Sequence, residues 1–64
     1  MAFDRIDRQI LALLQEDGRM TNVDLADRVG LTAPPCLRRV RALEEGGAIK
    51  GYHAEIDPVV MGYP

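Results

Sequence analysis

Residues 21–45 constrain this 64-residue chain more than any other stretch, because they let two short helices meet in few ways. Their apolar and small residues run Leu25-Ala26-x-x-Val29-Gly30-Leu31-x-x-x-x-Cys36-x-x-x-Val40-x-x-Leu43. Helices that cross near a right angle must approach closely, and Ala26 supplies the small side chain at the crossing. The turn between them needs a positive φ, which Gly30 adopts without steric cost. The apolar residues on either side pin the angle. This is the logic of a helix-turn-helix, although any small helical hairpin also needs a glycine turn and apolar contacts.

The flanking signals set the elements. Phe3, Ile6, Ile10, Leu13 and Leu14 share one helical face. Asp4 and Asp7 lie in the opening turn, where negative charge suits the helix dipole, and Gly18 is expected to end the helix in a left-handed conformation. Leu11 projects off the stripe and is available to a neighbour or a second subunit. Thr21-Asn22-Val23-Asp24 opens the second helix as a capping box with Asp24 in the place of Glu or Gln, and Met20 and Leu25 are placed to staple it. Gly30 ends it, Leu31 turns into the core, Thr32 opens the third helix and Gly46-Gly47 closes it. The expected helices are about 4–17, 22–29 and 33–45.

Beyond the glycines, Ala48 to Asp57 alternates, with Tyr52, Ala54 and Ile56 on one face and His53 and Glu55 on the other, until Pro58 closes the run. That is strand periodicity. A lone strand leaves its backbone groups unpaired, so either Ile49-Lys50 folds back as a small wing or a second chain supplies the partner. The fold class is therefore mostly α: a three-helix, winged-helix-like helix-turn-helix domain over residues 1–47, then a hinge β-strand. Residues 48–64 are expected to hold that strand and the start of a truncated second domain.

The net charge of −2 argues against a nucleic-acid partner until its distribution is considered. Residues 18–43 carry five arginines against Asp24 and Asp27, a local +3 between two acidic ends. Salt screens charges beyond roughly 8–10 Å, so the local field is what a phosphate meets. On the third helix Cys36, Val40 and Leu43 form the buried stripe, while Pro34, Leu37, Arg38 and Arg41 fall on the other side. Arginine reaches guanine edges or phosphates, and an apolar side chain can touch a thymine methyl. Arg39 lies at the boundary, its head directed at a phosphate or at an acid such as Glu44. With Thr32 as cap, Pro34 and Pro35 occupy the positions whose amides it would normally hold, so its hydroxyl is left for water or a DNA phosphate. The prolines also stiffen the end of the helix that would enter the groove; equally, they could serve only to shorten the turn.

Other functions find little support. The chain has no serine, its single Cys36 lies on an apolar helix face, and its single His53 has only Glu55 beside it. An enzyme, a metal site and a bound cofactor are therefore not expected. A lone thiol and the absence of a long apolar run suit a cytoplasmic location with no membrane partner. The acidic total favours a rival, a winged-helix module that binds protein.

Several stretches resemble the leucine-responsive (Lrp/AsnC, feast/famine) transcription regulators. They are Asp4-Arg5-Ile6-Asp7-Arg8-Gln9-Ile10-Leu11, Asp17-Gly18-Arg19, Asn22-Val23-Asp24-Leu25-Ala26, Val29-Gly30-Leu31-Thr32, the run from Pro35-Cys36-Leu37 to Leu43-Glu44, and Ile49-Lys50-Gly51-Tyr52. The resemblance implies a sequence-specific DNA-binding domain whose strand around Tyr52 is a hinge to an αβ-sandwich domain. In the family that second domain binds amino acids and builds dimers and larger assemblies. The chain stops at Gly62-Tyr63-Pro64, about where it should begin, so the chain is expected to be a fragment, with the amino-acid effector bound only by the full-length protein. The expected partners are double-stranded operator DNA and a second copy, joined weakly through the hinge strand. The expected DNA-facing residues are Thr21, Asn22, Thr32, Ala33, Pro34, Leu37, Arg38, Arg39 and Arg41.

Overall fold

A computed structural model describes residues 2–62, which form three helices and an irregular tail. Helix α1 spans Arg5–Glu16, α2 Asn22–Val29 and α3 Ala33–Glu45. Asp4 caps α1 through a full capping box: its Oδ1 accepts from the Asp7 amide at 2.8 Å, and Asp7 Oδ2 accepts from the Asp4 amide at 3.3 Å. The far end differs from expectation. Asp17 leaves the helix in an extended conformation, and its side chain and carbonyl hold the Arg19 and Met20 amides. Gly18 is not among the residues with positive φ. The Tyr52 ring packs beside it: a Cβ at Gly18 would lie 3.4 Å from that ring, at the edge of ordinary contact.

Helix α2 begins with the Thr21 hydroxyl accepting from the Asp24 amide at 3.1 Å. It ends at Gly30, where φ is +76° and the Leu31 amide donates back to the Ala26 carbonyl at 2.9 Å. A Cβ on Gly30 would meet nothing within 4 Å, so the backbone angle, not space, is what demands glycine. Helix α3 starts at Thr32 with no side-chain cap bond, as two prolines in its first turn dictate. At its end Gly47 takes the positive φ, and the Ala48 and Ile49 amides both donate to the Leu43 carbonyl.

One apolar cluster holds the helices together. Ile10 from α1, Leu25, Ala26 and Val29 from α2, and Cys36 and Leu43 from α3 are buried. Phe3, Ile6, Leu13, Leu14, Met20, Leu31, Val40 and Ile49 pack around them, half-buried. Leu11 is half-buried too, and lines a groove with Ile49 and Tyr52, so within the chain its neighbour is the segment after α3.

The strand expected over Tyr52–Ile56 is not formed. Among the described residues no ladder exists, neither with Ile49-Lys50 as a wing nor with anything else, because a single chain offers this segment no unpaired edge. Asp57 instead nucleates a turn, its Oδ1 accepting from the Val59 and Val60 amides at 2.9 and 3.3 Å. The tail stands away from the helices. A compact chain of this length has a radius of gyration of about 11 Å, against 14.2 Å here. The expectation that residues 48–64 hold the start of a second domain falls in part on residues 63–64, which lie outside the described residues.

Candidate nucleic-acid interface

The corner between α2 and α3 gathers most of the residues expected to face DNA. Thr21, Thr32, Pro34, Leu37, Arg38 and Arg41 are exposed; Asn22, Ala33 and Arg39 are half-buried. The local sequence explains the division. About 100° per residue puts Leu37, Arg38 and Arg41 opposite the buried Cys36 and Leu43, with Pro34 on the same outer surface. Among the described residues neither Arg38 nor Arg41 has an ion-pair or side-chain hydrogen-bond partner. Two unpaired guanidinium groups and an exposed leucine on one helix suit a polyanion whose grooves also carry methyl groups.

Asn22 and Arg39 are used differently. Asn22 Nδ2 donates to the Ala33 carbonyl at 2.9 Å, tying the first residue of α2 to the first of α3. Its Oδ1 is buried without a partner. Asn22 is thus a strut between the two helix starts. Arg39 turns away from the outer surface: its Nη1 lies 2.6 Å from Asp4 Oδ2 and 3.1 Å from Asp7 Oδ1. The Asp7 amide bond and the Arg39 guanidinium hold the Asp4 carboxyl below its ordinary range, and the two acids raise Arg39. Glu44, the acid expected beside Arg39, instead accepts a hydrogen bond from the Tyr52 hydroxyl at 2.9 Å. These partners lie 8 to 35 positions apart, beyond the reach of a periodicity argument. A hint existed in Arg39's place between the two faces of α3 and in the acids opening α1.

The Thr32 hydroxyl carries no cap bond and is exposed, at the end of α3 whose dipole is positive and whose first turn holds no acid. Burial pushes the Cys36 thiol up, keeping it protonated within the core. No helix among the described residues is long and apolar enough to cross a membrane.

Residues 3–50 match the family described as winged helix-turn-helix DNA-binding. The chain is 62% identical over 60 residues to the leucine-responsive regulatory protein of Rhizobium meliloti (strain 1021), covering 94% of this chain and 38% of that protein. To the protein of the same name from Escherichia coli (strain K12) it is 60% identical over 55 residues, covering 86% of this chain and 34% of the relative. The chain therefore spans well under half the length of these relatives. Among solved structures, a transcriptional regulator from Neisseria meningitidis in complex with L-Met superposes with a TM-score of 0.90 at 45% identity, covering 94% of this chain and 39% of that one. An AsnC family transcriptional regulator from Agrobacterium tumefaciens gives 0.86 at 47% identity, over 92% and 39%.

Proposed function

Because this chain belongs to the winged helix-turn-helix DNA-binding family, in the form carried by leucine-responsive Lrp/AsnC regulators, we propose that α3 reads operator DNA as one half of a two-fold pair. The observation that carries this reading is the outer surface of α3, where Arg38 and Arg41 stand unpaired beside Pro34 and Leu37. Arg38 and Arg41 enter the major groove, Leu37 and Pro34 lie against base edges, and Thr21, Thr32 and Ala33 approach the backbone where the two helices begin. Residues 1–47 form the reading unit, and residues 48–64 connect it to the remainder of a longer regulator acting in the cytoplasm. An amino-acid effector is bound by that remainder.

One short helix contacts only a few base pairs, too few for a unique site, so two copies are held with their third helices roughly 34–36 Å apart. The segment Tyr52–Ile56 is the local device for joining them, since its alternating pattern has no partner among the described residues. Alone it buries far less than the roughly 1,200 Å² of a stable interface, so the chain is a monomer or weak dimer in dilute solution. Sedimentation at micromolar concentration tests this, and fusion to a coiled coil should raise operator affinity. Unchanged affinity in the fusion would overturn the paired mechanism.

For the readout, Arg38→Ala and Arg41→Ala should each cost roughly 1–3 kcal/mol at the operator where the side chain reads a base. A loss equal on all sequences marks a phosphate contact. Unaltered binding in both variants removes α3's outer surface from the interface, and with it the advantage of DNA over a protein partner.

A further inference from the structure

Arg39 stands next to Arg38 on α3, yet its head is committed elsewhere, and the way it is held assigns it a task. The capping box of α1 uses one oxygen of each acid: Asp4 Oδ1 for the Asp7 amide and Asp7 Oδ2 for the Asp4 amide. The two oxygens left over, Asp4 Oδ2 and Asp7 Oδ1, converge on the same nitrogen, Arg39 Nη1. All four carboxylate oxygens are thereby engaged, and the start of α1 presents a formed two-acid seat for one cation. Among the described residues this is the one polar link between α1 and α3; the other long-range side-chain bonds join α2 to α3 and Tyr52 to Glu44.

We propose that Arg39 is a positioning residue for DNA reading: it pins the rotation of α3 against α1 and does not itself contact phosphate. The inference rests on the DNA reading above. Arg39 lies about 60° from the centre of the buried stripe, so it resists rolling of α3 about its own axis. A roll of about 10° moves an arginine head some 8–10 Å from the axis by roughly 1.5 Å, enough to spoil a bidentate contact. Arg38 and Arg41 would both be displaced. A phosphate drawn to Arg39, by contrast, would sit against two carboxylates, and like charge opposes that approach.

Two substitutions separate these roles. Asn at position 4 keeps a capping oxygen and, like Asn at position 7, loses a charged one, so Asp4→Asn/Asp7→Asn empties the seat while leaving α1 capped. Arg39→Gln empties it from the other side. Binding is measured for the 64-residue chain on two labelled duplexes, one of random sequence and one enriched from a random pool by the wild-type chain, between about 50 and 200 mM salt. Circular dichroism checks that each variant folds, and Arg39→Lys, which can still place one cation in the seat, is the conservative control.

The expected result is a loss of about threefold to thirtyfold in the ratio of enriched to random affinity for Arg39→Gln and for the double Asn variant. The combined triple variant should be no worse, the salt slope unchanged, and Arg39→Lys should keep most of the ratio. A salt slope shallower by about one in Arg39→Gln marks a lost phosphate contact and overturns the proposal. So does tighter binding of both duplexes by the double Asn variant, which would mean a freed Arg39 had reached DNA, and so does an unaltered ratio in Arg39→Gln. A wild-type chain that holds neither duplex at the lowest salt, even when fused to a coiled coil, overturns the DNA reading and this inference together.

Discussion

The three helices and the tail after Lys50 are both rich in apolar residues, yet only the helices bury theirs. Ile10, Cys36 and Leu43 are almost wholly removed from solvent, whereas Ile56, Val59, Val60 and Met61 are exposed, Val60 to 81%. Apolar content is therefore not the difference. A helix satisfies its own backbone and needs a neighbour only for its stripe, which two other helices supply here. A strand must borrow backbone partners from another strand before its side chains have a face to bury. Residues 51–57 alternate as a strand does, but among the described residues nothing completes them.

The largest expected effect contrasts the two regions directly. Ile10→Ala, Leu25→Ala or Leu43→Ala should each cost about 2–5 kcal/mol, enough to unfold most of a domain whose whole stability is small. Ile56→Ala and Val60→Ala should stay within about 0.5 kcal/mol. Urea denaturation followed by circular dichroism measures both sets. A core-sized loss at Val60 would mean the tail packs on something that a single chain does not display.

That division also marks how far the amino-acid order could be read. The limits of α2 and α3 follow from groups within a few positions: Thr21 over Asp24, Gly30 in its left-handed turn, Thr32 before two prolines. Such signals act locally and leave a pattern in sequence. The end of α1 departs from the glycine rule because Asp17, whose side chain and carbonyl hold the Arg19 and Met20 amides, organises the exit without a left-handed residue at Gly18. Arg39 and Asn22 lie at the corner of α2 and α3, but their partners sit across the fold, where spacing carries no information. The outward set of Pro34, Leu37, Arg38 and Arg41 was legible because one helical period separates it from the core.

A smaller effect is expected at Cys36, which lies fully within the helical cluster. Cys36→Ala or Cys36→Val keeps the site apolar, whereas Cys36→Ser buries a hydroxyl with no partner, worth roughly 1–3 kcal/mol. The serine variant should therefore melt below both others. A thiol reagent should label the native wild-type protein only at the rate of unfolding, and rapid labelling would contradict the placement of Cys36 in the core.

The smallest effect belongs to the joint between the two regions, where Tyr52 is the last side chain held by the helices. Its ring lies over Gly18, and its hydroxyl donates to Glu44 Oε2 at 2.9 Å near the C-terminal end of α3. Partial burial first, and the neighbouring Glu44 carboxylate second, raise the phenol above its ordinary value near 10. Between that value and the raised one the folded chain keeps a proton that the unfolded chain has lost, so the free energy of unfolding falls as pH rises. The Tyr52 contribution is thus complete below about pH 10 and disappears as pH climbs through the folded value. Asp4 behaves in the opposite sense: its carboxyl is lowered, so its contribution is complete above its ordinary value near 4 and fades as the solution becomes more acidic. Tyr52→Phe keeps the ring over Gly18 and removes only an exposed hydrogen bond, so it should cost no more than about 1 kcal/mol at neutral pH. It should also remove the Tyr52 share of the alkaline fall, leaving the share of the buried Cys36 thiol and the acid step intact. Melting curves of the two proteins from neutral to strongly alkaline pH test this. An alkaline fall as large in Tyr52→Phe as in the wild type would show that the tail is not tied to α3 through this hydroxyl.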